Sequence, residues 1–384
     1  MTDKKLIDAI SYAAASAVFS ILIFFYAGVV GTPSEMRTFS EAAATENVHF
    51  DLPQNEYPTS GAQACALIDA NSGQLLFSKN ENQRLPMAST TKIMTAIIAL
   101  ENCDVDEIVT VPAQAQGVEG SSIYLLSGEE LTLSELLYGL LLESGNDSAT
   151  AIAIYVGGDE GSFCELMNRK AEELGLSNTH FENPHGLTAE EHYTTAYELA
   201  MLSAYAMKNE TFRKIVSTEK YVIPERENCR ARYFSNHNRL LRNLDICDGI
   251  KTGYTLAAGR CLVTSASLGE SRFVAVTLND RRDWEDHKEM LTFAAENFES
   301  IKLAEKDELV FSFNSIYDQN QKLFVTNNEA IYITRKKGAT ENFDFTVEIS
   351  TADGMIGDTA GYLRVNADGN SFVFPLKVSG VKSY

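Results

Sequence analysis

The chain has 384 residues, of which 45% are hydrophobic, giving it room for two domains and enough apolar content for a well-buried core. Its formal net charge of −21 and isoelectric point near 4.7 argue against nucleic acid as a partner and against electrostatic attachment to anionic lipid.

At the N-terminus no charged residue occurs from Ala9 to Ser34, and Lys4 and Lys5 stand in front of an almost wholly apolar stretch, Ala13 to Val30. The length suffices to span a bilayer. Small-residue cleavage candidates around Val29-Val30-Gly31 and Ala42-Ala43-Ala44 are imperfect or distant, so residues 1–31 read as a signal peptide or an uncleaved anchor. Either way the lysine pair sends the rest of the chain outward, so it is expected outside the cytoplasm, secreted or held at the outer face of a bacterial cytoplasmic membrane. Residues 32–60, polar and acidic with scattered Pro and Gly, read as a tether.

Two short apolar runs, Ala64 to Ile68 and Gln74 to Ser78, flank Asp69-Ala70-Asn71-Ser72-Gly73 and predict a hairpin. It delivers the chain to Pro86-Met87-Ala88-Ser89-Thr90-Thr91-Lys92. Residues three apart on a helix share a face, so a helix opening near Ser89 brings the Lys92 amine within reach of the Ser89 hydroxyl. The run Ile93 to Leu100 is apolar all round and predicts a buried helix. Burial there disfavours the Lys92 ammonium, and the helix dipole favours a developing alkoxide at Ser89. Ser-x-x-Lys alone is a weak signal: Ser217 to Lys220 and Ser379 to Lys382 also match, but neither precedes an apolar helix.

Thr132 with Glu135 forms a capping box ahead of Leu133, Leu136, Leu137, Leu140 and Leu141, which recur at helical spacing. This helix is expected to stop at Glu143, with Ser144-Gly145-Asn146-Asp147 as a tight loop and a new helix from Ser148. A further helix is expected from Phe163 to Leu174, ending at Gly175, and another from the Thr195–Glu198 capping box through Met207. From Asp248 the pattern turns to strands: Gly249-Ile250-Lys251-Thr252-Gly253-Tyr254, then Arg260 to Ser267 and Phe273 to Leu278. A last helix, about Trp284 to Phe298, packs on that sheet, giving an α+β class. Past Lys302, short β-type runs (Glu308 to Phe313, Ala330 to Thr334, Phe343 to Ile349, Gly361 to Val365, Phe372 to Leu376) predict a small all-β domain. The expected division is thus 61–299 for a catalytic domain and 300–384 for the β-rich one.

The six cysteines show no paired spacing and read as small buried residues. No metal-ligand motif and no cofactor motif is present. His185 invites a Ser-His-Asp reading, but without a Gly-x-Ser-x-Gly elbow it reads as a structural loop residue. Arg281 and Arg282 lie in an Asp-rich stretch that reads equally well as solvated surface or as a carboxylate site.

Taken in order, Ser89 to Lys92, Ser144-Gly145-Asn146 and Lys251-Thr252-Gly253 match the three motifs of the penicillin-recognising serine enzymes. Singly, the last two are more often a capping loop and a strand end; together and in order they are specific. The surroundings resemble the low-molecular-mass penicillin-binding proteins that act as D-alanyl-D-alanine carboxypeptidases. The match runs through Ala66 to Asp69, Pro86 to Met94, Ser144 to Ala149, Asn183-Pro184-His185-Gly186-Leu187, His192 to Tyr197 and Asp248 to Thr255, and on to Gly361 to Val365. The resemblance implies a transpeptidase-like domain, an antiparallel sheet with helices, followed by a small β domain. It also implies that Ser89 is the acylated nucleophile, Lys92 its base and Ser144 a proton relay. Asn146, Lys251, Thr252, Gly253 and Tyr254 would hold the substrate, with the Ser89 and Tyr254 N–H groups as oxyanion hole. The implied partners are a peptidoglycan stem peptide ending in D-Ala-D-Ala and, as covalent inhibitors, β-lactam antibiotics.

Family members often end in an amphipathic membrane-binding helix, which this sequence lacks before Tyr384, so attachment is expected through the N-terminal segment. A D,D-endopeptidase shares these motifs. A β-lactamase needs a Glu-x-x-Leu-Asn loop, and Glu165 to Asn168 falls in a helix too close to Asn146. A non-catalytic wall-binding module would not need Ser89, Lys92, Ser144, Asn146 and Lys251 together.

Overall fold

The computed structural model describes residues 57–314, 321–339, 343–349, 355–367 and 370–383; the expected signal or anchor segment and nearly all of the tether lie outside them. The core of the fold is an antiparallel five-stranded sheet in the order β2-β1-β9-β8-β7. Its strands are β1 (Ala64–Asp69), β2 (Leu75–Lys79), β7 (Cys247–Thr255), β8 (Gly259–Leu268) and β9 (Ser271–Leu278). Every residue of β1 is buried, because helices cover both faces of the sheet. Successive side chains alternate sides, so Ala64, Ala66 and Ile68 join the larger helical core while Leu67 packs with Phe273, Met290 and Leu291 on the other face. Across the sheet Leu67 lies opposite Ala275, Val276 opposite Val263 and Val263 opposite Lys251, with register shifts at Leu67/Ile68 in the β1–β2 pair and at Cys247/Gly249 in the β7–β8 pair.

Between the first hairpin and β7 lie the helices. A 3-10 turn, Ala88–Thr91, runs into α1 (Lys92–Asn102), buried from Lys92 through Ala99, as the apolar run predicts. A two-stranded ribbon, β3 (Ile108–Thr110) with β4 (Glu130–Thr132), precedes α2 (Leu133–Leu142). The capping box at Thr132 and Glu135 is present with both bonds made. The structure then corrects the expected loop. Helix α3 (Asn146–Gly157) begins at Asn146, not Ser148. The reversal is completed by Ser144 alone in a left-handed conformation, φ 62°, and the free Asn146 N–H is taken by the Ser121 carbonyl.

Helix α4 (Glu160–Glu173) starts a turn before Phe163 because the Asp159 carboxylate caps it at the Ser162 N–H. Helix α5 (Ala196–Ala206) has Thr195 as its cap. The Glu198 carboxylate does not complete the box; it accepts from the Asn178 N–H and the Thr179 hydroxyl. The sequence reading missed α6 (Glu210–Val216) and the hairpin of β5 (Lys220–Ile223) and β6 (Arg232–Ser235), all too short for a periodic signal. Helix α7 (Asp283–Asn297) stops before Phe298, which opens β10 (Phe298–Ala304).

Among the described residues that follow, the regular elements are all strands. Strand β10 pairs with β13 (Ile331–Lys336), and a second five-stranded sheet runs β11-β12-β16-β15-β14. These strands are β11 (Val310–Asn314), β12 (Gln321–Thr326), β14 (Phe343–Ile349), β15 (Thr359–Ala367) and β16 (Asn370–Ser383); β10 and β12 were not read from the sequence. The end of β1 is bolted to the β10–β13 ribbon through buried Asp69, whose carboxylate accepts from Ser300 at 2.7 Å and Thr334 at 2.8 Å. All six cysteines are free thiols and none is exposed. Among the described residues no helix is long and apolar enough to cross a membrane.

Candidate active site

The 3-10 turn at the mouth of α1 buries Ala88, Thr90 and Thr91 and leaves Ser89 partly open. One helical turn on, Lys92 is fully buried, with its Nζ 3.0 Å from Ser89 Oγ. The same Nζ lies 2.6 Å from Asn146 Oδ1 and 2.6 Å from the His185 carbonyl oxygen. Both of those oxygens only accept. A neutral amine has two hydrogens and one lone pair, so the two acceptors take the hydrogens and the lone pair is left facing Ser89. The serine hydroxyl is then the donor.

Burial pushes the Lys92 ammonium well below its usual range, the positive charge of Lys251 adds to that, and Asp147 opposes both. Lys251 is itself buried on β7, where desolvation pushes it down to about 7 against the pull of Glu143. Lys251 donates to the Thr252 carbonyl at 2.9 Å.

Strand β7 is an edge strand of the central sheet, and it lies directly against the serine turn. A Cβ on Gly253 would sit 3.1 Å from the Ser89 nitrogen and 3.2 Å from that of Thr90. These contacts are tighter than ordinary packing, so a side chain there would push the strand and the serine turn apart by a few tenths of an ångström. Thr252 and Gly253 are partly buried and Tyr254 is exposed, so this edge faces solvent beside Ser89.

The third wall is a loop the sequence did not flag. Asn146 Nδ2 donates to the Glu119 carbonyl at 2.5 Å, and Gly120, with φ +91°, has no room for a Cβ because Asn146 Nδ2 would lie 2.7 Å from it. Buried Asp147 fixes this loop, accepting from the Ser122 hydroxyl and from the Ile123 and Leu125 N–H groups. Arg232 holds it from the other side, donating to the Ile123 and Tyr124 carbonyls and pairing with Glu129 at 2.5 Å.

Of the predicted site residues, hydrogen bonds join Ser89, Lys92 and Asn146, and packing brings in Gly253 with the Lys251 strand. Ser144 lies two residues from Asn146, but among the described residues its hydroxyl makes no hydrogen bond to any of them. His185 contributes its carbonyl and not its ring, which burial and Lys92 push down to about 3. A clue to the supporting loops was present in the sequence, in Gly120 and Gly186, but nothing there says which backbone each approaches. Arg281 and Arg282 are exposed, and Arg282 pairs at 3.6 Å with buried Asp286 and with exposed Glu289. Glu165 is exposed on α4.

An antiparallel sheet edge beside a half-open serine, itself paired with a buried lysine, defines the class of penicillin-recognising serine peptidases. Within it, the chain belongs to the D-alanyl-D-alanine carboxypeptidase family, which matches residues 52–282. It is 36% identical over 323 residues to the D-alanyl-D-alanine carboxypeptidase DacF of Bacillus subtilis, covering 80% of this chain and 82% of the relative. To DacC of Escherichia coli, a carboxypeptidase of the same description, it is 31% identical over 338 residues, covering 82% of each. Among solved structures it is similar to penicillin binding protein 5 of Haemophilus influenzae, with a TM-score of 0.70 at 27% identity over 84% of this chain and 97% of that one.

Proposed function

We propose that Ser89 is the acylated nucleophile of this D-Ala-D-Ala carboxypeptidase and Lys92 its general base. The observation that carries this is the buried Lys92 Nζ, 3.0 Å from Ser89 Oγ and 2.6 Å from each of two carbonyl acceptors, Asn146 Oδ1 and the His185 oxygen. Ser89 Oγ attacks the carbonyl carbon of the penultimate D-alanine as its proton passes to Lys92 Nζ. The oxyanion is held by the Ser89 and Tyr254 N–H groups. On collapse the C–N bond breaks, and the terminal D-alanine leaves as the amine, taking the proton from Lys92 through Ser144. Water then hydrolyses the ester. The second Asn146 Nδ2 hydrogen, not used by Glu119, serves the substrate amide, while Lys251 and Thr252 meet the terminal carboxylate. Hydrolysis of stem pentapeptides in this way limits cross-linking. Residues 61–299 form the catalytic domain and 300–384 the β-rich domain in this reading.

Penicillin presents a carboxylate beside a strained amide, so it should give a stable one-to-one adduct on Ser89. Peptide mapping by mass spectrometry that placed the adduct elsewhere, or rapid release of penicilloate, would sink the assignment.

The pH dependence of acylation follows from the two lysines. Lys92 must be neutral, so activity is lost as pH falls through its lowered value; Lys251 must be charged, so activity is lost as pH rises through about 7 in the free enzyme. The mechanism requires Lys92 to lose its proton before Lys251. A bell-shaped second-order rate constant is expected, and Lys251→Arg should remove the alkaline limb, because guanidinium keeps its proton. An unchanged alkaline limb in that variant would assign the limb to another group.

Residues 1–31 are the membrane anchor in this account, with 32–60 as tether. Deleting 1–31 should release fully active protein into solution, and retention of that truncated protein on membranes would contradict the anchor.

A further inference from the structure

The oxyanion hole as read above uses the Ser89 N–H, and the direction of that N–H is fixed by the peptide plane it shares with the Ala88 carbonyl. Ala88 is a non-glycine residue at φ 48°, a conformation that persists only where its surroundings hold it. The Ala88 carbonyl accepts from Thr91 Oγ1 at 2.8 Å. Thr91 Oγ1 in turn lies 2.7 Å from His192 Nε2, and His192 Nδ1 lies 3.0 Å from the Glu182 backbone nitrogen.

Only one arrangement of hydrogens satisfies all three contacts. The Glu182 N–H can only donate, so Nδ1 accepts and the ring proton is on Nε2. Nε2–H then donates to Thr91, whose own hydrogen goes to Ala88. His192 and Thr91 are buried, and burial pushes the imidazole down to about 4, which keeps this neutral tautomer in the working range.

We propose that His192, acting through Thr91, is a positioning residue for the oxyanion hole, aiming and polarising the Ser89 N–H by way of the Ala88 carbonyl. Hydrogen bonds in a chain strengthen one another. Donation to a carbonyl oxygen also makes the N–H of the same amide a better donor. The inference rests on the assignment of Ser89 as nucleophile, and it gives a role to the His192 to Tyr197 run that the acylation chemistry leaves unused.

The test is stopped-flow acylation of the purified full chain by a chromogenic cephalosporin, separating the binding constant from the acylation rate constant. Thr91→Val and His192→Phe should lower the acylation rate constant about 10- to 100-fold, less than deletion of an oxyanion donor, with the binding constant unchanged. Thr91→Ser and His192→Gln, which keep the hydroxyl and the Nε2-like donor, should recover most of the rate. Thr91→Val and His192→Phe acylating within twofold of wild type, or losing binding instead of rate, would overturn the proposal. Should those variants fail to fold, imidazole nitrogen NMR of the labelled wild-type chain decides: an unprotonated Nδ1 supports the relay and an Nδ1–H tautomer refutes it. Acylation persisting in Ser89→Ala would instead refute the nucleophile, whatever these variants do.

Discussion

Lys92→Arg should lose penicillin acylation by about 100- to 10,000-fold, the range that a positioned general base contributes. Arginine keeps the reach but gives up no proton near neutral pH, so the variant has no proton acceptor and carries a buried charge that neutral Lys92 lacks. A guanidinium also has no lone pair to turn toward Ser89, while the acceptors Asn146 Oδ1 and the His185 carbonyl stay in place. The variant should therefore resemble Ser89→Ala in acylation kinetics. Near wild-type acylation by Lys92→Arg would leave Lys92 as electrostatic support only.

Gly186→Ala should disable the site from the far side of the nucleophile. A Cβ at Gly186 would lie 1.9 Å from the Ala88 oxygen, 2.4 Å from the Ala88 carbonyl carbon and 2.9 Å from the Ser89 nitrogen, and φ there is +88°. All three contacts are backbone, so no rotamer change relieves them. The loop cannot simply swing away either. Asn183 holds the Gly186 N–H and the Leu187 carbonyl, and Thr95 holds the Pro184 carbonyl at 2.5 Å. The serine turn must then yield, and a displacement near 1 Å costs about 100-fold in rate. The conformational penalty alone is about 1–3 kcal/mol. Gly175→Ala is the control: φ is +72° but nothing lies within 4 Å of the new Cβ. It should lower the urea midpoint yet acylate normally. Equal acylation by the two alanine variants would show that the Gly186 contact does not position Ser89.

What could be read in advance had a local physical cause. The Ile93 to Leu100 run announces its burial by being apolar on every side, and the Thr132 and Thr195 caps follow from a hydroxyl three residues before a glutamate. Ser89 and Lys92 meet because three residues make nearly one turn. The parts that could not be read depend on contacts distant in sequence. That Asn146 opens α3 depends on the Ser121 carbonyl reaching its N–H, and that the Glu198 carboxylate leaves its capping box depends on the position of Asn178. Gly186 and Gly120 were visible as glycines, but only the fold shows that one meets Ala88 and the other Asn146. His185 reads from its side chain as a loop residue, and it is its backbone oxygen that meets Lys92 Nζ at 2.6 Å. Sequence patterns describe side chains, and a carbonyl carries no signature in them.

The most direct test of the account is to incubate the enzyme with a muramyl pentapeptide ending in D-Ala-D-Ala and weigh the products. The account predicts a tetrapeptide and free D-alanine in equal amounts, with no product from Ser89→Ala. An intact pentapeptide, or cleavage by Ser89→Ala at the wild-type rate, would contradict it.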